Sequence, residues 1–518
     1  MESDSGRVMD WQAAAVEAGR IAQAWTAEGG PGGAVVLFDA ASLRAEACGG
    51  LANLELSLPF RADTAVRYAS ISKHFLAALL LRADGLGQCE GMPGLDDFLG
   101  TYLGLPPALG AVTVGRALDM TSGLPDAMET AWLLGVSPSA TQGHQALLAF
   151  LQRLDGLNFA SGTEISYSNT GYRLVQAALE ATGIDYAAEL HARFLRPLGL
   201  GIRFPYDETE PVPGLAGGYW KSPAGWRRGR YGLHMSASGG LAGSAHDLVS
   251  WLQALMSGRP PIGGLFPKLA RLRTLSDGRA TAYGLGLARH ALGSRVLVGH
   301  GGSLPGFKNH FLLDPEARAG VVVVSNREDT DAAGSSLRVM AALHGIALPQ
   351  PARGVLPEGL YAMPGTPFWL EHAAGVVTWL GAQETVYPDG EGGVAGRSAH
   401  LPLRLRREGG AIAGEVGQVA RRFVPVPGDL APDAAWAGAW VCAAQHARFD
   451  VAVVGDEARL ILGAGPLLTT LPLHPIGDGR ALAERREGPW SQRVCLQFGR
   501  DAVRLVTNRS RVLRFVRG

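Results

Sequence analysis

Ser70-Ile71-Ser72-Lys73-His74-Phe75-Leu76 opens the stretch on which the reading of this chain turns. From Ser70 to Arg82 the apolar residues Phe75, Leu76, Leu79 and Leu80 predict a buried helix. Residues three apart share a helix face, so Ser70 and Lys73 can touch. Four of the 47 basic residues are lysines, and Lys73 is the one with a serine three positions before it. Arginine keeps its proton in a protein, whereas a desolvated lysine can lose it and act as a base. A serine hydroxyl is a poor nucleophile until a neighbouring base takes its proton. If Ser70 opens the helix, the positive end of the helix dipole favours a developing alkoxide and disfavours a charged lysine.

Two more short patterns occur once each, Tyr167-Ser168-Asn169 and His300-Gly301-Gly302. Tyr167 can relay or share the proton, and Asn169 can offer its amide to Lys73 and to a substrate carbonyl. His300 to Gly302 reads as a strand edge where two glycines let a substrate backbone come close. A backbone N–H there, that of Ser303, can join that of Ser70 as an oxyanion hole. Each pattern has a bland alternative: a surface helix, a turn with Asn169 as the cap of the next helix, and a strand end. The apolar continuation after Lys73 and the order of the three motifs favour catalysis. His74 points to another helix face and reads as structural. His310 and His372 lack ligand-like spacing, and Gly390 to Gly393 reads as a hairpin turn rather than a phosphate cradle.

Composition narrows the function. Lys+Arg and Asp+Glu both number 47, so the net charge is zero and nucleic acid or anionic membrane is not an expected partner. Cys48, Cys89, Cys442 and Cys495 are scattered, which predicts reduced thiols and no zinc site. The segment Met1 to Gln12 lacks a basic region followed by an apolar stretch, so a cytoplasmic location is expected. No apolar run approaches a membrane span.

Residues 1–348 read as mixed α and β. Ala34–Asp39 and Leu43–Cys48 predict a hairpin, and Ala117–Gly123 ends at a Ser-Gly turn. Gly171–Thr182 predicts an amphipathic helix. Tyr283–Ala288, Arg295–Gly299, His310–Leu313 and Gly320–Ser325 predict antiparallel strands, and Ala332–His344 a helix. Prolines and glycines mark a linker over 349–359. Beyond it, short alternating segments such as Val376–Leu380, Val451–Val454, Leu460–Leu462, Val494–Phe498 and Val503–Thr507 predict two small antiparallel β domains, at 360–428 and 429–518. Gly359-Leu360-Tyr361 and Gly438-Ala439-Trp440 open the two stretches as a faint repeat.

The order Ser-x-x-Lys, Tyr-x-Asn, His-x-Gly resembles the penicillin-recognising serine enzymes, whose commoner third motif is Lys-Thr-Gly. Leu118 to Leu124, Tyr283-Gly284-Leu285-Gly286 and Gly299 to Gly306 add to the likeness, which spans residues 30–345. Ser70 to Phe75 and Gly299 to Gly306 are similar to the D-aminopeptidases of that group. The resemblance implies a β-lactamase-like α+β catalytic domain, an antiparallel sheet flanked by helices, followed by two β-barrels. It implies a serine D-aminopeptidase that releases an N-terminal D-residue from peptides, amides or esters through an acyl-enzyme. Ser70 would be the nucleophile, Lys73 the base and Tyr167 the shuttle, with Asn169, His300, Gly302 and Ser303 binding substrate. It also implies a homodimer, no metal or organic cofactor, and a loop of the last barrel that enters the active site. The corresponding stretch is Ala483 to Arg493, where Glu487, with Glu484 behind it, would grip the substrate ammonium. The Met235 to Leu241 stretch carries Ser238 and no acid. The alternative on the same scaffold is an esterase, DD-carboxypeptidase or β-lactamase.

Overall fold

The computed structural model describes residues 9–83, 91–428, 430–463 and 465–518, so Cys89 and the first eight residues lie outside the described part. The chain forms two compact units. One comprises Met1–Asp97, Tyr172–Thr274 and Ala280–Leu348; the other comprises Phe98–Gly171, Leu275–Arg279 and Pro349–Gly518.

The first unit is built on a six-stranded antiparallel sheet. Its strands, in spatial order, are Leu43–Gly49, Gly33–Asp39, Ala319–Ser325, Phe307–Asp314, Arg295–Leu304 and Ala288–Leu292. Gly33–Asp39 and Ala319–Ser325 are near-continuous apolar runs because they lie inside the sheet and are covered on both faces. Leu43–Gly49 alternates with exposed residues because it is an edge. One face is covered by helices Trp11–Ala27 and Ala332–His344, which bring Ala18, Ile21, Trp25, Val339 and Leu343 onto Val35, Leu37, Val321 and Val323. On the opposite face Phe75 stacks on Trp251 at 4.3 Å, and the His74 ring lies 5.6 Å from Phe311. Trp11–Ala27 is additional to the elements read from sequence. Asp10 caps it, accepting from the Ala13 N–H at 2.8 Å.

Two elements differ in form from the sequence reading. The helix expected from Ser70 begins as a 3₁₀ turn, Ala69–Ser72, and becomes α-helical over Lys73–Ala83. Tyr283–Leu287 is a turn, and the strand starts at Ala288. There Gly286 has φ 78° and packs so closely on the Lys73 helix that a Cβ would stand 2.6 Å from the His74 Cα.

The second unit contains two closed eight-stranded antiparallel barrels. The first runs from Gly359–Ala362 to Val419–Pro425, and the second from Gly438–Cys442 to Leu513–Arg517. Tyr361↔Pro425 and Val441↔Val516 are among the pairs that close them. The faint repeat is real in structure: Gly359 and Gly438 each open the first strand of a barrel. Closure leaves no free sheet edge. Trp369, Trp379, Leu405 and Phe423 fill the first barrel; Trp440, Phe449, Leu496 and Phe515 fill the second. Leu133, from helix Ala127–Leu133, joins the apolar cluster of the second barrel. Residues 98–171 therefore cluster with the barrels, although in sequence they end 178 residues before Pro349.

Candidate active site

Ser70 sits in a strained turn. Ala69, just before it, has φ 53°, a left-handed conformation that costs an L-residue about 1–2 kcal/mol. Tyr68 holds the turn: its N–H donates to Leu241 O at 2.8 Å and its hydroxyl to Ser244 O at 2.6 Å. One turn on, Lys73 is fully buried. Its Nζ donates to Ser70 Oγ at 3.0 Å and to the Ser238 carbonyl at 2.7 Å. The ring of Tyr172, on helix Asn169–Ala181, lies 5.4 Å from Nζ. The Met235–Leu241 stretch thus serves Lys73 through a backbone carbonyl. The Ser238 hydroxyl is bonded to Ser236 Oγ at 2.8 Å. His74 is structural, as expected: its Nε2 accepts from Trp251 Nε1 at 2.8 Å.

The His300 motif lies on strand Arg295–Leu304. At Gly302 an added Cβ would stand 2.0 Å from the Tyr68 carbonyl, so glycine is what lets the strand press against the Ser70 turn. Leu304 and Phe307 pair across the Pro305-Gly306 turn, and Gly302 pairs with Asn309. In an antiparallel ladder alternate residues face opposite edges, so the N–H and C=O of Gly301 and Ser303 face away from this partner. Pairing on that other edge ends at Gly299. The Ser303 N–H therefore faces the edge of the strand opposite Lys308. The Ser303 hydroxyl accepts from Lys308 Nζ at 2.6 Å, and Lys308 pairs with Glu328 at 2.6 Å. The His300 ring is buried. Its Nδ1 donates to Gly301 O at 2.6 Å, and its Nε2 is hydrogen-bonded to the Tyr283 hydroxyl at 2.9 Å.

Tyr167 and Asn169 belong to the second unit. Asp126 organises them. Its Oδ2 accepts from the Asn169 N–H at 3.0 Å and from Nδ2 at 3.1 Å, while Oδ1 accepts from Met128 N and Glu129 N at the start of helix Ala127–Leu133. The carboxylate thus fixes which way the Asn169 amide points. The Leu118–Leu124 phrase lies behind: Met120 takes φ 66°, and its carbonyl accepts from the Ser166 N–H at 3.0 Å. The Tyr167 ring meets the His400 ring at 4.9 Å and the Arg509 guanidinium at 4.8 Å. Arg509 Nε lies 3.6 Å from Glu129 Oε1. Burial pushes the Glu129 carboxyl up against the pull of Arg509. The sequence reading did not include Asp126, Arg509 or His400, and it met Tyr283 only in a strand and a family phrase, not as a partner of His300. Asp126-Ala127-Met128-Glu129 carries a capping signal that could have marked the first.

The Ala483–Arg493 stretch is not a loop. It belongs to strands Arg480–Glu487 and Trp490–Phe498, paired through Glu487↔Trp490, so the connection is Gly488-Pro489 alone. Glu487 accepts from Ser137 Oγ and lies 3.5 Å from Arg485 Nη2. Glu484 pairs instead with Arg486 at 2.6 Å and Ser491 at 3.1 Å. Among the described residues no group of three or more His, Cys, Asp and Glu could hold a metal, and no helix is long and apolar enough to cross a membrane.

The Beta-lactamase family model matches residues 18–344, which include all three motifs. The chain belongs to the beta-lactamase family. Among its relatives are D-aminopeptidases of Brucella anthropi, 29% identical over 352 residues, and of Gluconobacter oxydans, 28% identical over 340 residues. The alignments span 68% and 64% of this chain, but 65% and 62% of those proteins, less than two thirds of either. Among solved structures, the octameric penicillin-binding protein homologue from Pyrococcus abyssi matches 94% of the chain and 96% of its own, at TM-score 0.53 and 20% identity. The D-amino acid amidase from Ochrobactrum anthropi SV3 complexed with L-phenylalanine amide matches 64% of the chain and 98% of its own, at TM-score 0.52 and 25% identity. This beta-lactamase-family chain therefore carries the family's sheet-and-helix domain ahead of its two barrels.

Proposed function

We propose that this protein is a serine hydrolase that releases a small N-terminal D-residue, such as D-alanine, from peptides, amides and esters. The carrying observation is the buried Lys73 Nζ at 3.0 Å from Ser70 Oγ. Similarity to D-aminopeptidases over 68% of the chain supports the D-residue. Lys73 takes the Ser70 proton as Oγ attacks the carbonyl carbon. The Ser70 and Ser303 N–H groups stabilise the resulting oxyanion. Tyr167 passes a proton to the departing amine, and the C–N bond breaks to leave the Ser70 ester. Water, deprotonated by the same groups, then attacks that ester and frees the acid. Asn169 and the edge of the His300–Ser303 strand hold the substrate, and the His300 ring braces that strand through Tyr283. No metal or organic cofactor enters this scheme. A cytoplasmic homodimer goes with this reading, and light scattering with cell fractionation tests it.

Glu487 is the proposed partner of the substrate ammonium, with Ser137 and Arg485 holding its carboxylate. Glu487→Ala is expected to raise KM about tenfold for free-amine substrates, a loss of one ion-paired contact, while N-blocked esters change little. Equal effects on the two substrate types would remove that role.

A further inference from the structure

Each barrel places a side chain on the ring of Tyr167. From the first barrel comes His400, between strands Val394–Gly396 and Leu403–Glu408, whose ring lies edge-on to Tyr167 at 4.9 Å and 71°. From the second comes Arg509, between Ala502–Val506 and Leu513–Arg517, with its guanidinium carbon 4.8 Å from the ring centre. Arg509 is itself held in place. Its N–H donates to Glu129 Oε2 at 3.1 Å, and its carbonyl accepts from the Asp126 N–H at 2.8 Å and from Asn158 Nδ2 at 2.9 Å. Asp126 is the residue that orients Asn169.

The backbone leading to Tyr167 is held by both barrels as well. Glu164, three residues before it, receives Arg421 Nη2 from the first barrel at 2.7 Å and Arg511 Nη2 from the second at 2.9 Å. All three residues are more than nine-tenths buried. The Ile165 N–H donates to Gly417 O, in the first barrel, at 3.1 Å.

We infer that the two barrels are part of the proton-transfer apparatus: Arg509 and His400 are positioning residues that hold the Tyr167 ring, and the Glu164–Arg421–Arg511 triad holds the backbone beneath it. The inference rests on the reading of Tyr167 as proton donor to the leaving group. A cation over the ring face is attracted by the ring's electron density, and the ion pair with Glu129 keeps that cation from turning away. Neither barrel residue needs to touch substrate.

The test uses the leaving group. An amine departs only with a proton, whereas p-nitrophenolate departs without one. The ratio of kcat/KM on D-alanine amide to that on p-nitrophenyl acetate, each corrected for the Ser70→Ala background, therefore reports proton delivery. Because both rates come from one preparation, the ratio does not depend on the fraction folded. Arg509→Met should lower the ratio by about tenfold, within the range of general acid catalysis. Arg509→Lys, which keeps a cation, should restore most of it, and His400→Ala should lower it by less. Tyr167→Phe should lower it furthest. A normal ratio in Tyr167→Phe would overturn the Tyr167 reading and this inference with it. A lowered ratio in Tyr167→Phe beside a normal ratio in Arg509→Met would overturn the role of the barrels alone.

Discussion

Lys73 and His74 are adjacent in the chain and meet opposite surroundings. Lys73 reaches the Ser70 hydroxyl and the Ser238 carbonyl, whereas His74 accepts the indole N–H of Trp251 in an aromatic layer. Lys73→Arg keeps charge and much of the length but removes a base that can be deprotonated. It is expected to lower kcat/KM by about 10²–10⁴ while leaving the fold intact by circular dichroism. A loss smaller than about tenfold would contradict the assignment of Lys73 as the base. At His74, burial holds the imidazole far down, to about 3. In the fold the ring stays neutral, while in the unfolded chain it takes a proton below about pH 6.5. Its contribution is complete above that pH and is lost as pH falls, at about 1.4 kcal/mol per unit until pH nears 3. His74→Gln keeps an acceptor for Trp251 and lacks this loss. Urea unfolding at pH 7, 6, 5 and 4 should show the variant gaining on the wild type as pH falls; parallel curves would contradict it. The Ser-x-x-Lys pair was legible in sequence because both residues share one turn. Arg509 and His400 were not, because hundreds of intervening residues must fold before they meet Tyr167, and Asp126 showed a capping signal but no mark of Asn169, 43 residues on.

At the scale of elements, apolar periodicity was enough to find helix Lys73–Ala83 and helix Ala332–His344. It could not find the 3₁₀ start, because the positive φ of Ala69 is held by tertiary bonds from Tyr68 to Leu241 and Ser244. Tyr283–Leu287 alternates large and small residues as a strand does, yet packing of Gly286 on the His74 backbone bends it into a turn. The stretch Ala483–Arg493 was expected as a loop from the family resemblance, whereas its alternating charged positions suit the solvent face of a strand hairpin. The Glu164 triad was invisible for a different reason: Glu164 has arginine partners 257 and 347 residues away. Burial pulls the Arg421 guanidinium down, while the Glu164 charge opposes that pull. Glu164→Gln would leave two buried guanidinium groups without a carboxylate, a change that costs about 3–5 kcal/mol. Chemical denaturation should register that loss. Replacing all three with Leu, Met and Met should recover most of it. A cost below about 1 kcal/mol for Glu164→Gln would show that the triad does not anchor the Tyr167 segment.

For the whole molecule, the sequence showed a helical and sheet region, a Pro- and Gly-rich break and two antiparallel β domains, and the structure has two closed eight-stranded barrels in the C-terminal region. Short alternating segments reveal strands, and Gly359 and Gly438 marked where each barrel opens. What composition could not show is that residues 98–171, which carry Tyr167 and Asn169, cluster with the barrels. That association depends on buried contacts such as Leu133 within the second barrel's core, and no local pattern encodes them. It underlies the part in the chemistry that we infer for the barrels, where the three motifs alone would assign it to the first 348 residues. The account's central claim is an acyl-enzyme on Ser70 that is selective for D-residues. The most direct measurement is hydrolysis of D-alanine p-nitroanilide against its L-enantiomer and a chromogenic cephalosporin, with Ser70→Ala alongside. The account predicts rapid cleavage of the D-substrate, little of the other two, and none by Ser70→Ala. Cleavage of the cephalosporin without the D-anilide, or D-anilide cleavage that survives Ser70→Ala, would contradict it.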